Sequence, residues 1–137
     1  MNVQPYLFFD GRCEQAMEFY TKSLGAKVEF LTRFKDNPEP KYNPPDSDDK
    51  VMHACLRIGD TQVMASDGNC QGKPAFQGFS LTINAASPAE AEQRFHALAE
   101  GGQVQMPLSE SFFAKSFGMV ADRFGVSWMV IAGPKNP

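Results

Sequence analysis

The sequence predicts an α+β fold built from two βαβββ modules, and three observations carry that prediction. First, the chain repeats itself. Phe19 is followed six residues later by Gly25 and then by Val28, and Phe95 is followed six residues later by Gly101 and then by Val104. Each segment reads as the end of an amphipathic helix, a glycine stop and the start of a strand. Second, each helix is preceded by one strand-like run and followed by three. Third, tight-turn chemistry joins the last two strands of each half, at Gly59-Asp60 and at Asp122-Arg123-Phe124-Gly125, as hairpins require.

In chain order, residues 6–11 read as a strand and turn, ending in Asp10-Gly11. The first helix is expected to begin near Gly11, with Glu14 in its first turn, where a carboxylate suits the helix dipole. Ala16, Met17, Phe19, Tyr20 and Leu24 fall mostly on one side of it, so it has a face to bury. Strands follow over residues 27–34, 51–58 and 62–66. The second half opens with a strand over residues 79–84. Its helix starts at a capping box, Ser87-Pro88-Ala89-Glu90, with Ser87 as N-cap and Pro88 at the first helical position. Ala91, Phe95, Leu98 and Ala99 form its apolar face, and strands follow over residues 103–107, 114–121 and 126–131. In each half the sheet is the available partner for the helix.

Composition narrows the function. The chain has 137 residues, 42% hydrophobic and 21% charged, which fits one domain of ordinary size with repeat halves at about 1–66 and 76–132. Twelve phenylalanines supply apolar area for a core or an aromatic-lined pocket. The net charge is −3, and no basic stripe is present, so nucleic acid is not an expected partner. No apolar run approaches the ~20 residues of a membrane span. The N-terminus lacks a signal core, and Cys13, Cys55 and Cys70 have no metal-type spacing. The expected setting is the cytoplasm. Residues 35–49 hold Pro38, Pro40, Pro44 and Pro45, which exclude a central strand or helix and point to a long loop. Residues 67–75 read as a glycine-rich connection. Gly-x-Ser-x-Gly, P-loop and Gly-x-Gly-x-x-Gly patterns are absent. A methyltransferase would need a nucleotide-binding α/β sheet, for which the chain has neither length nor strand–helix alternation.

The βαβββ repeat resembles the vicinal oxygen chelate superfamily, which includes glyoxalase I, fosfomycin-resistance proteins, extradiol dioxygenases and bleomycin-binding proteins. Three stretches look like its PhnB-like branch. They are residues 6–20, from Tyr6 to Tyr20; Val51-Met52-His53-Ala54 with Leu56-Arg57-Ile58-Gly59-Asp60 and Ser66-Asp67; and Phe117-Gly118-Met119-Val120 with Asp122-Arg123-Phe124-Gly125-Val126 and Trp128-Met129. The resemblance implies a curved, cup-like mixed sheet with helices on its convex face, a small organic ligand in the cup, and a homodimer. It also implies a divalent metal held by residues from the first and last strands of each half. Those positions here are Gln4, Gly78, Met64 (or Ala65) and Met129, and they fail as a metal site. Glycine has no ligating side chain, and thioethers are poor donors for Zn²⁺ or Mg²⁺. No metal or other cofactor is therefore expected.

The ligand-binding candidates are Gln4, Tyr6, Phe8, His53, Cys55, Arg57, Ser80, Thr82 and Trp128. Alternation over residues 52–58 turns His53, Cys55 and Arg57 to one face and the apolar residues to the other. Gln4, Tyr6 and Phe8 share a face in the first strand, as Ser80 and Thr82 do in the second half. Trp128 and the pair Phe112-Phe113 are read as either aromatic walls or core. His53 is the one residue suited to proton transfer, either as a general base or as a structural histidine. His96, Asp67 and Glu110 read as solvated. The expected function is small-molecule binding without the usual metal. The alternative is a divalent-metal-dependent glyoxalase or dioxygenase-type enzyme with a non-standard ligand set including His53.

Overall fold

The computed structural model describes residues 1–68 and 73–134. Cys70 and part of the glycine-rich connection lie outside them. The chain divides into two compact units, Met1–Pro74 and Ala75–Pro137. Each contains a four-stranded mixed sheet with one helix, an α+β arrangement with no closed barrel.

The first module runs β1 (Tyr6–Phe8), α1 (Cys13–Leu24), β2 (Lys27–Arg33), β3 (Val51–Ile58) and β4 (Thr61–Ser66). Its sheet order is β1-β4-β3-β2, with β1 parallel to β4 and the other pairs antiparallel. The second module repeats this with β5 (Leu81–Ala85), α2 (Pro88–Ala99), β6 (Gln103–Ser109), β7 (Ser116–Ala121) and β8 (Ser127–Ala132). Its order is β5-β8-β7-β6, again with one parallel pair, β5 and β8.

Period-two burial marks the inner strands β3, β4, β7 and β8, whereas the edge strands β2 and β6 bury no residue. Ala54 and Leu56 of β3, Val63 and Ala65 of β4 and Leu7 of β1 are buried, and so are Ala16, Met17, Phe19 and Tyr20 of α1. The second module buries Val120, Trp128, Val130 and Ala132 with Ala91, Phe95 and Leu98 of α2. Each sheet thus spends one face on its helix and leaves the other open. Gly118 in β7 is required by the closeness of that packing: an added Cβ would lie 2.8 Å from the Phe95 ring and 3.0 Å from the Leu108 backbone.

The two helices start in different ways. α1 begins at Cys13, its N-cap Arg12 offering no side-chain cap. Asp67, from the end of β4, accepts hydrogen bonds from the N–H groups of Gly11 (2.6 Å), Cys13 (2.9 Å) and Val51 (2.9 Å). It is buried, so it is a structural carboxylate and not the solvated loop residue expected. α2 does start at Ser87, whose hydroxyl accepts from the Glu90 N–H at 3.1 Å; Glu90 reaches back to the N–H of Ala86. Gly25 ends α1 at φ 65, a left-handed conformation that favours glycine.

The proline-rich segment is a loop, as its prolines dictate, with two short 3₁₀ turns at Phe34–Asp36 and Pro40–Tyr42. It is closed at its neck by backbone bonds from Phe34 to Lys50 and from Lys35 to Asp48. Asn37 and Asn43 tie its interior, and Ser47 and Phe34 are buried. No helix among the described residues is long and apolar enough to cross a membrane.

Candidate functional site

The open face of the first sheet carries the densest set of polar and aromatic side chains. Strand register lays them out in rows. Tyr6 of β1 lies opposite Met64 of β4, which lies opposite Cys55 of β3, which lies opposite Phe30 of β2. One row over, Phe8 pairs with Ser66, and His53 pairs with Thr32.

Two clusters form on this face. In the first, the Tyr6 hydroxyl and His53 Nδ1 are 2.8 Å apart. Tyr6 stacks on Phe8 with ring centroids 4.9 Å apart, and Phe30 lies 5.9 Å from the His53 ring. Tyr6 and Phe30 remain 40% and 53% exposed, so this aromatic group is an open surface and not core. Partial burial raises the Tyr6 phenol above its usual pKa. It is a proton donor across the neutral range.

The second cluster is a strip of hydrogen bonds across the strands. Gln4 Nε2 donates to Gln62 Oε1 (3.0 Å), Gln62 Nε2 to Glu29 Oε1 (3.0 Å), and Arg57 Nε to Glu29 Oε2 (3.1 Å). Those donors hold the Glu29 carboxyl below its ordinary pKa, Gln62 contributing most and Arg57 next. Cys55 Sγ lies 3.8 Å from the same carboxylate. Burial, then the Glu29 charge, raises the Cys55 thiol. A thiol so placed is a poor nucleophile at neutral pH.

Glu29 was not among the residues singled out from the sequence, and a β-bulge explains why. The register slips between Val28 and Phe30, so Glu29 and Phe30 both reach the open face although they are consecutive. Simple alternation puts them on opposite faces.

The second module repeats this plan with different chemistry. Its register also slips, between Val104 and Met106. Ser80 Oγ bonds Ser127 Oγ at 2.9 Å, and Ser127 Oγ lies 3.3 Å from Gln105 Oε1. By the strand pairings, Ser80, Ser127 and Gln105 stand where Gln4, Gln62 and Glu29 stand in the first module. Thr82, Met129, Met119 and Met106 form the neighbouring row.

Of the two readings of Trp128, ligand wall and core, the structure shows the core one. The residue is 2% exposed on the helix side of its sheet, and its Nε1 donates to Asp122 Oδ2 at 2.9 Å. The alternation of β8 puts Ser127, Met129 and Ile131 on the open face and Trp128 in the core. Asp122 also accepts from the N–H groups of Phe124 and Val126, closing the β7–β8 turn.

The donor chemistry does not fit a hard divalent ion. His53 is the only imidazole on the first open face, and its Nδ1 is engaged by Tyr6. Glu29 is spent on Gln62 and Arg57. Among the described residues no three His, Cys, Asp or Glu side chains are grouped to hold a metal.

Known proteins agree with this architecture. The chain is 32% identical to Protein YjdN of Escherichia coli K12, covering 100% of this chain and 99% of that protein. It superposes on protein PA1353 of Pseudomonas aeruginosa with a TM-score of 0.87 at 45% identity, covering 98% and 99% of the two chains. A putative 3-demethylubiquinone-9 3-methyltransferase, PhnB protein, from Bacillus cereus gives 0.81 at 27% identity, covering 97% and 100%. A glyoxalase-related enzyme from Fulvimarina pelagi shares the fold alone, with a TM-score of 0.65 at 19% identity. The family model described as 3-demethylubiquinone-9 3-methyltransferase matches residues 1–131. With paired βαβββ modules of the glyoxalase-like kind and that match along nearly its whole length, the chain belongs to this PhnB-like family.

Proposed function

We propose that this protein binds a small organic molecule on the open face of the first module's sheet, without the divalent ion used by metal-dependent members of the superfamily. The observation that carries this reading is the group of exposed Tyr6 and Phe30 with half-buried Phe8 and His53, organised by the 2.8 Å contact between Tyr6 and His53. Apolar ring faces with a few directed polar atoms are what ligand sites use. Ser80 and Thr82 lie on the second module's own open face, half-buried and exposed respectively. Metal analysis of protein purified without chelator tests it. The expected result is less than one equivalent of transition metal; a stoichiometric metal lost in His53→Ala would refute it.

One observation favours a second reading, that of an enzyme. Among the described residues His53 Nε2 has no partner, leaving a nitrogen for proton transfer or for a metal ligand. Under that reading His53→Gln abolishes turnover while ligand still binds. The protein is also proposed to be a homodimer. β2 and β6 are edge strands, and Val28, Val104 and Met106 are each 44% exposed on them. Exposed apolar edges favour association. A monomer at micromolar concentration in sedimentation velocity would contradict this.

A further inference from the structure

The strip of hydrogen bonds beside the aromatic group has an unused end. Arg57 spends Nε on Glu29. Among the described residues its Nη1 and Nη2 atoms have no partner. The guanidinium is anchored and about half exposed, with a side-chain accessibility of 41%. Its two terminal nitrogens form the planar fork that matches a carboxylate. Glu29 does not cancel this capacity. Its Oε1 is taken by Gln62 and its Oε2 by Arg57, so its charge is held on the inner edge of the guanidinium.

His53 and Arg57 lie on the same face of β3, four residues apart, a span of about 13 Å along an extended strand. Between them lie Cys55 and Met64, flanked by the rings of Tyr6 and Phe30. The face therefore presents a cationic pole at Arg57, an apolar and aromatic middle, and a hydrogen-bonding pole at His53 and Tyr6.

From this layout, and resting on the ligand-binding reading above, we infer that the ligand is a planar aromatic carboxylate. Its ring lies against Tyr6, Phe30 and Met64, its carboxylate is held by the Arg57 fork, and a polar substituent at the far end meets His53. Glu29 acts as the positioning residue that fixes the fork.

The test uses the full chain and two probes differing only in charge, 4-hydroxycinnamate and 4-hydroxycinnamamide, followed by calorimetry and by ¹H–¹⁵N spectra. The acid is expected to bind the wild type about tenfold more tightly than the amide, the discrimination of one charge-assisted contact. In Arg57→Met that preference should vanish while the amide's affinity is unchanged. Because Arg57 is half-exposed, its loss leaves the core intact, and Arg57→Lys, which keeps the charge but not the planar fork, supplies a second variant in which the preference weakens. If acid and amide bind equally, with shifts at Tyr6, Phe8 and His53, the carboxylate assignment is overturned and the binding reading survives. If neither probe moves those signals, both fail. Shifts at these residues that follow protein concentration without probe would assign the face to a second copy of the chain and overturn the proposal.

Discussion

Replacing Asp67 by asparagine should destabilise the protein more than any other isosteric change of a carboxylate in the first module. Asp67 Oδ1 accepts from the N–H groups of Gly11 and Cys13, and Oδ2 from that of Val51. Asparagine keeps one acceptor oxygen and turns the other into an amide donor. Whichever way the amide is oriented, at least one backbone N–H then faces another N–H in a site that is 7% exposed. Losing one hydrogen bond to a charged acceptor costs roughly 1.5–3 kcal/mol, and the orphaned donor adds to it, giving about 2–4 kcal/mol in total. A domain of this length loses about 3–4 °C of melting temperature per kcal/mol, so Asp67→Asn should melt roughly 7–14 °C lower. Asp49→Asn is the control, because its carboxylate is 91% exposed and paired only with exposed Lys35. Surface pairs of that kind contribute at most about 1 kcal/mol. Thermal unfolding followed by circular dichroism reads both variants side by side. If Asp67→Asn shifts the midpoint no more than the control does, the carboxylate is not the staple between β4, α1 and β3 described above.

Other expectations follow from the same contacts. Gly118→Ala forces a methyl against the Phe95 ring and the Leu108 backbone and should cost about 1–3 kcal/mol in urea unfolding; an unchanged midpoint would mean that β6 or α2 shifts freely. In a Cys70→Ser background, Cys55 should react with a thiol reagent only slowly at neutral pH, with a rate that keeps rising above the usual thiol range. Fully buried Cys13, whose thiol is raised further by burial and by the Asp67 charge, should react only on unfolding; rapid labelling of both at pH 7 would contradict this. The Glu29 carboxyl should titrate below the ordinary glutamate range in a carbon-detected NMR titration, because Gln62 and Arg57 donate to it. Since its folded pKa is lowered, any stabilisation it provides is complete above the ordinary glutamate range and fades as pH falls through the folded value. Removing Arg57 should move the titration back up, and removing Gln62 should move it further.

The sequence made the strands, helices and turns legible because each depends on local periodicity or on a residue with one strong conformational preference. Gly25, Pro88 and the Asp122–Gly125 turn are examples of the latter. The faces of β3 were readable too, since Ala54 and Leu56 alternate cleanly with His53, Cys55 and Arg57. What escaped detection is non-local. Asp67 looks like any loop carboxylate until β4 places it among three N–H groups of distant segments. Glu29 reaches the open face only because a bulge breaks the alternation, and no residue near it announces a bulge. Trp128 was ambiguous by one register step, which in a strand exchanges inside for outside. Its indole is in the core, where Asp122 satisfies its N–H.

The paired bulges at Glu29 and Gln105 have a consequence for how such a chain can change. Contacts that keep each half folded run along the helix-facing residues of the inner strands, while the bulges hand their extra side chain to the opposite surface. A substitution on that outer surface can therefore alter chemistry with little penalty to folding. The halves display this freedom already: where one carries Gln4, Gln62, Glu29, Cys55 and Phe30, the other carries Ser80, Ser127, Gln105, Met119 and Met106. A duplicated scaffold of this sort can specialise one copy for polar recognition and leave its sibling pliant and greasy.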